Sequence, residues 1–289
     1  MSYTMPARME LGEVKLKVSD LQRSLQFYQE VVGLKVLHQE ERVALLTVDG
    51  VNPLVILEEI PNAVVVPRQS AAGLYHFAIL LPSREALGLA LRNLMEAEVS
   101  LGQADHLVSE ALYIWDPDMN GIEIYRDRPR EEWTYDASRN VVMASDPIDW
   151  EDLLKEAEGK AWAGLPVGTK MGHVHFHARD IYKMKEFYCD VMGFDIAANA
   201  LKEMGALFIS AGGYHHHIGL NIWAGANAPL PPANGTGLAY YTIQLPTQDD
   251  VEGLVERLRN HGVSIDERDG AWYGQDPSAI TFRLVLQDS

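Results

Sequence analysis

An internal repeat decides how this chain can fold. The stretch GEVKLKVSDLQRSLQFYQEVVGLKV (12–36) matches GHVHFHARDIYKMKEFYCDVMGFDI (172–196). A second stretch, GLYHFAILLPSREALGLALRNLMEAEVSL (73–101), matches GLAYYTIQLPTQDDVEGLVERLRNHGVSI (237–265). Each copy reads as an alternating strand followed by an amphipathic helix. Asp20 and Asp180 suit the helix starts, and Gly33 and Gly193 the helix ends. The first pair continues into two strand-like runs, VALLTV and PLVILEE in one copy, GALFIS and HHIGLNIW in the other. The second pair continues to Tyr-x-x-Asp-Pro and a last strand, at 113–127 and 273–288. Four βαβββ modules follow, at 10–60, 72–127, 171–225 and 236–288. By chain order, residues 1–135 carry modules one and two, and 171–289 carry modules three and four. Residues 136–170 form a linker with one helix over DWEDLLKEAEG. The Phe-Tyr pairs at 27–28 and 187–188 read as helix core.

Composition enters where it excludes functions. A net charge of -17 repels polyanions, so neither nucleic acid nor an anionic membrane is an expected partner. No apolar run approaches the length of a membrane span. Cys189 is the single cysteine, which forbids an intrachain disulfide and favours a reducing, cytoplasmic setting. The N-terminal stretch lacks the apolar core of a secretory signal, in line with that expectation. A homo-oligomer is left open.

The alternation also assigns faces. In MGHVHFHARD, His173, His175 and His177 share one side of a strand, with Val174, Phe176 and Ala178 on the other. The apolar side of each module packs under its helix, so the opposite side faces a concavity. Module two then presents His76, Ala78 and Leu80 from its first strand, with Glu123 and Tyr125 from its last. Module three presents the three histidines, then His215, His217, Gly219 and Asn221, with His216 turned to the helix side. Modules one and four present Glu13, Lys15 and Lys17, and Tyr240, Thr242 and Arg283. Of ten histidines, only His38 and His261 lie outside modules two and three. Glu123 between two isoleucines is costly to bury unless it is paired or ligated.

These modules, with DLQRSLQFY and DPDMNGIE, resemble the vicinal oxygen chelate superfamily, which includes glyoxalase I, fosfomycin-resistance proteins and extradiol dioxygenases. Bacillus-type catechol 2,3-dioxygenases show the nearest resemblance, through GLYHFAILLP, VSEALY and YHHHIGLNIWAG. The resemblance implies an α+β fold whose modules pair into two cup-shaped half-barrels. It also implies that first-strand positions of two paired modules, with one last-strand Glu, hold a divalent metal. Pairing one with two would assemble Glu13, His76 and Glu123. Pairing three with four would assemble His173, Tyr240 and Arg283, a poor cation site. Pairing two with three would assemble His76, Glu123 and His173, a 2-His-1-carboxylate set suited to Fe(II), with Mn(II) or another divalent metal as substitutes. Fused glyoxalase-like chains pair this way, and that arrangement is expected here. The outer cup, with Glu13, Tyr240 and Arg283, is then expected to hold no metal.

The extradiol signature is similar to ADHLVSEALYIWDPDMNGIE, with Ala104 and Met119 departing from it. By that resemblance His106 and Tyr113 hydrogen-bond the substrate oxygens. His215 or His217 suits acid–base work because imidazole titrates near neutrality. The expected activity is extradiol cleavage of a catechol or hydroquinone-like ring with O2. A glyoxalase I-type isomerase and a non-catalytic protein that binds small aromatics are the alternatives.

Overall fold

The computed structural model describes residues 3–287. Module one contributes strands β1 (Glu10–Val18), β2 (Lys35–Gln39), β3 (Val43–Thr47) and β4 (Pro53–Glu59). Module two contributes β5 (Gly73–Leu80), β6 (Gly102–Asp105), β7 (Ser109–Trp115) and β8 (Gly121–Asp127). Module three gives β9 (Lys170–His177), β10 (Asp195–Ala200), β11 (Ala206–Ser210) and β12 (Ile218–Asn221). Module four gives β13 (Gly237–Leu245), β14 (Asp266–Arg268), β15 (Ala271–Gln275) and β16 (Thr281–Leu286).

These strands build two eight-stranded sheets, ordered β14-β15-β16-β13-β1-β4-β3-β2 and β10-β11-β12-β9-β5-β8-β7-β6. Modules one and four thus share one curled sheet, joined by antiparallel β1 and β13, while modules two and three share the other through β5 and β9. Each sheet therefore draws on both halves of the chain.

Helices cover the apolar sides. The helices α1 (Leu21–Phe27), α2 (Arg84–Glu96), α3 (Trp150–Glu156), α4 (Ile181–Lys185), α5 (Leu201–Met204) and α6 (Gln248–Asn260) follow in chain order. Asp20 caps α1 by accepting from Arg23 N, and Asp180 caps α4 by accepting from Tyr182 N and Lys183 N. Both short helices continue into a wider i→i+5 turn that ends near Gly33 and Gly193, each with positive φ. The linker helix α3 docks on α2 at Gly88, where a Cβ would lie 2.5 Å from the carbonyl oxygen of Leu153. The core runs continuously beneath both sheets, through residues such as Leu16, Leu57, Phe77, Ile124, Phe176 and Phe282.

The Phe-Tyr pairs do more than fill space. Tyr28 in module one donates its hydroxyl to Asp116 Oδ2 of module two at 2.9 Å. Tyr188 in module three does the same to Asp276 Oδ2 of module four at 2.8 Å. Each Asp also accepts backbone N–H groups of its own Asp-Pro turn. The two matched motifs thus lock the sheets together, because each bond spans modules lying in different sheets. Tyr28→Phe or Tyr188→Phe removes one donor from a buried carboxylate. Each is expected to cost about 1–3 kcal/mol, read as a lower urea midpoint at unchanged m-value.

In the outer cup Arg283 pairs with Glu13 and stands over the Tyr240 ring at 5.9 Å, and Lys15 pairs with Glu58 at 2.8 Å.

Candidate metal centre

The inner sheet brings together residues far apart in sequence by plain strand register. Ala78 of β5 sits opposite His173 of β9 on one side and Glu123 of β8 on the other. His76 lies two residues earlier on the same face of β5. The methyl of Ala78, fully buried, leaves the row open between its two polar neighbours.

The result is a tight triangle. Nε2 of His76 and Nε2 of His173 each lie 3.0 Å from Glu123 Oε2, and 3.3 Å from each other. All three residues are buried, and among the described residues they form the one His/Cys/Asp/Glu group close enough to share a metal ion. The spacing fits the donor set to a divalent cation: with bonds of ~2.1 Å, cis ligands of an octahedron lie ~3.0 Å apart. Nδ1 of both imidazoles is buried with no partner, so the polar function of both rings converges on Nε2. Three lone-pair atoms gathered at this separation repel unless a cation or protons lie between them.

Protonation favours the cation. Burial pushes His173 down to about 4, despite the opposing pull of Glu123. Burial works against the charge of Glu123, but His173 and His76 beside it outweigh that and hold its carboxyl well below the usual range. The donors His173 and Glu123 are therefore deprotonated near neutrality, as metal binding requires.

Tyr125, two residues after Glu123, props the site from one side. Its ring lies 4.9 Å from that of His173, and a Cβ on Gly172 would fall 1.8 Å from its hydroxyl. Glycine before His173 is what lets Tyr125 occupy this place.

The triangle opens onto a cavity of about 770 Å³. Its roof comes from the linker, where the segment 141–145 runs over the mouth of the cup. This strap ties the two edge strands of the sheet together. Val141 N donates to Ala197 O of β10 at 2.8 Å, while Asp146 and Asp105 of β6 exchange backbone bonds at 2.8 and 3.0 Å. Nothing in the periodicity of 136–148 announces such a roof.

His106 and Tyr113 both line this cavity. His106 Nδ1 donates to Ala144 O of the strap at 2.6 Å, which leaves Nε2 to accept from the Tyr113 hydroxyl, also at 2.6 Å. Burial and the nearby Glu123 raise Tyr113 well above a normal phenol, so it remains a donor.

The histidines before β12 depart from the expected alternation. The strand begins at Ile218 and its backbone bonds reach back to His217, so His215 and His216 run as an irregular bend and period two does not extend to them. His215 and His216 face the cavity, and the His216 ring packs at a tilt of 46° against that of His173 with ring centres 4.0 Å apart. His217 is placed elsewhere: its Nδ1 accepts from Ala211 N at 3.2 Å, and it lines a separate cavity with Tyr214 and Arg130. His215 reaches from the first cavity to Asp127, which lines the second. Its Nε2 donates to Asp127 Oδ1 at 2.9 Å, and its Nδ1 faces Nδ1 of His216 at 2.8 Å. Asp127 also accepts from the Tyr214 hydroxyl at 2.9 Å. Asp127 shares the face of Glu123 and Tyr125 by simple alternation along β8, a signal available in the sequence. His175 lines the cavity floor, while His177 turns away and bonds Asn221 at 2.7 Å.

A family model described as "Glyoxalase/Bleomycin resistance protein/Dioxygenase superfamily" matches residues 10–124 and 170–276. The chain belongs to this superfamily. It is 52% identical over 275 residues to the catechol-2,3-dioxygenase of Bacillus subtilis (strain 168), a match spanning 94% of this chain and 96% of that protein. Among solved structures, one from Bacillus subtilis superposes with a TM-score of 0.67 at 13% identity, over 99% of this chain and 87% of that one. Glyoxalase I from Zea mays superposes with a TM-score of 0.55 at 15% identity, over 96% of this chain and 92% of that one. At these identities the solved structures share the fold alone.

Proposed function

We propose that this protein is an extradiol dioxygenase that opens a catechol or hydroquinone-like ring with O2, using Fe(II), or Mn(II) in its place, held by His76, Glu123 and His173. The observation that carries the reading is the donor triangle at 3.0–3.3 Å, buried at the floor of a roofed cavity. The high identity to a named catechol-2,3-dioxygenase supports it. A bound ferrous ion would supply the electron path between the aromatic diol and O2, which spin rules keep apart in its absence. Both atoms of O2 enter the opened product, so no external reductant is needed.

The chain's own groups do the rest. Two neutral imidazoles and one carboxylate carry a single negative charge, so a divalent ion keeps one positive charge for a catecholate monoanion. His106, held by Ala144 O, orients the Tyr113 hydroxyl beside Glu123, where it can position a substrate oxygen. His215 and His216 supply the base on the other side, His215 fixed by Asp127. The strap forms part of the wall around the ring's place. A glyoxalase-type site calls for more carboxylate than the one in this donor set.

The test is turnover by anaerobically Fe(II)-loaded protein, offered catechols and substituted hydroquinones in air. A yellow ring-fission product and one O2 consumed per ring are expected. Silence across both series ends the dioxygenase reading. Ni- or Zn-dependent turnover of a thiol hemithioacetal would replace it with the isomerase, and purified protein without stoichiometric metal with the aromatic-binding role.

A further inference from the structure

The cavity above the donor triangle is far larger than a bare diol ring requires. At about 770 Å³ it falls within the ~300–1,000 Å³ range of pockets that enclose drug-sized ligands. Its lining is mostly apolar, with Val142 and Met143 from the strap and Met204, Phe208 and Trp223 from module three, beside the neutral polar Gln103, Asn140 and Asn199. Among the described residues, neither a lysine nor an arginine lines it. Among the described residues its carboxylates are Glu123 and Asp136, and Asp136 is engaged by its own loop, accepting from Ser138 N, Asn140 N and the Asn140 amide.

We infer that the cup takes an uncharged ring diol carrying an apolar substituent and rejects diols carrying a carboxylate. This rests on the dioxygenase reading for the placement of the diol, and on the wall for everything else. A carboxylate on the ring would lose hydration among Met143, Phe208 and Trp223 with no lysine or arginine lining the cavity to replace it. An alkyl group would instead move from water onto Met143, Phe208 and Trp223, with each methylene tightening binding about fourfold.

The inference is tested by calorimetry on the Fe(II)-loaded full chain without O2. Catechol, 4-methylcatechol, 4-propylcatechol and 3,4-dihydroxybenzoate serve as probes. Kd is expected to fall stepwise along the alkyl series, and the benzoate is expected to bind at least about a hundredfold more weakly than 4-methylcatechol. A second arm uses Met143→Arg, which places a cation on the strap. It is expected to strengthen benzoate binding at least about tenfold and to weaken 4-propylcatechol. Benzoate binding equal to 4-methylcatechol, or alkyl groups that bring no gain, overturns the inference, as does failure of every diol to bind. If the diols bind in the expected order but are not cleaved in air, the inference stands and the dioxygenase reading falls.

Discussion

Glu123→Gln is expected to remove the metal and, with it, turnover. The substitution keeps the size of the side chain but deletes the only charge in the donor set. The two imidazoles would then meet an uncharged amide at 3.0 Å, which cannot offset a divalent ion. Changing partners that merely support a ligand costs 10–100-fold in affinity or activity, and loss of a ligand should exceed that. A fall in kcat of at least about 10³-fold is therefore expected, with metal content dropping from one per chain toward zero. A separate readout isolates the metal from the chemistry. Ions that bind only the folded chain stabilise it by about 2.7 kcal/mol at a hundredfold excess over Kd, so wild-type thermal unfolding should move up with added Fe(II) or Mn(II). The variant should show no such shift while keeping its fold, because Glu123 lies on the concave face with His76 and His173, opposite the face the helices cover. Stoichiometric metal in Glu123→Gln would dismiss the triangle as a metal site.

How much of the site is legible in the sequence depends on where the rules of alternation apply. Within β5, β8 and β9 they apply fully, because each strand is paired on both sides and one face is closed by helices. Alternation puts His76, Glu123 and His173 on a common concave face for that reason, and the ladder through Ala78 brings them within reach. The pairing of module two with module three follows from the resemblance to fused glyoxalase-like chains and from its 2-His-1-carboxylate set, since pairing one with two also gathers cation ligands, Glu13, His76 and Glu123. Ahead of His217 the rule has no ladder to rest on. His217 N donates to Ile209 O and its carbonyl accepts from Val174 N, whereas the directions of His215 and His216 follow the bend and its hydrogen bonds. The strap was invisible for a different reason. Its place is set by bonds to Ala197 and Asp105, in modules three and two, and the segment itself has no period. The meeting of Tyr28 with Asp116 lay hidden likewise: both residues repeat in the chain, but nothing local says that a helix of one module reaches the turn of the next.

Asp127→Asn is expected to cost nearly as much activity as loss of the metal while leaving the metal in place. Asp127 Oδ1 accepts from His215 Nε2, and its second oxygen accepts from Tyr214. A carboxylate can only accept, so it requires the Nε2–H tautomer of His215 and leaves the Nδ1 lone pair facing His216. The His216 Nδ1–H can then donate to that lone pair at 2.8 Å, which turns a bare Nε2 of His216 toward the cavity. An amide at 127 can offer N–H groups to His215 instead, and the preference reverses along the row. In a serine protease the same Asp-to-Asn change behind a catalytic histidine lowers kcat about 10⁴-fold with little change of geometry. Here a fall of about 10²–10⁴-fold in kcat is expected, with KM for the diol and metal content changed less than about threefold. Asp127→Glu, which keeps the acceptor, should recover part of the rate. Long-range 1H–15N spectra of histidine-labelled, Zn-loaded protein give the direct readout: His215 should carry its proton on Nε2 in the wild type and lose that preference in Asp127→Asn. Wild-type kcat in the variant, or metal lost in step with activity, would reduce Asp127 to a structural partner and remove His215 and His216 from the acid–base role.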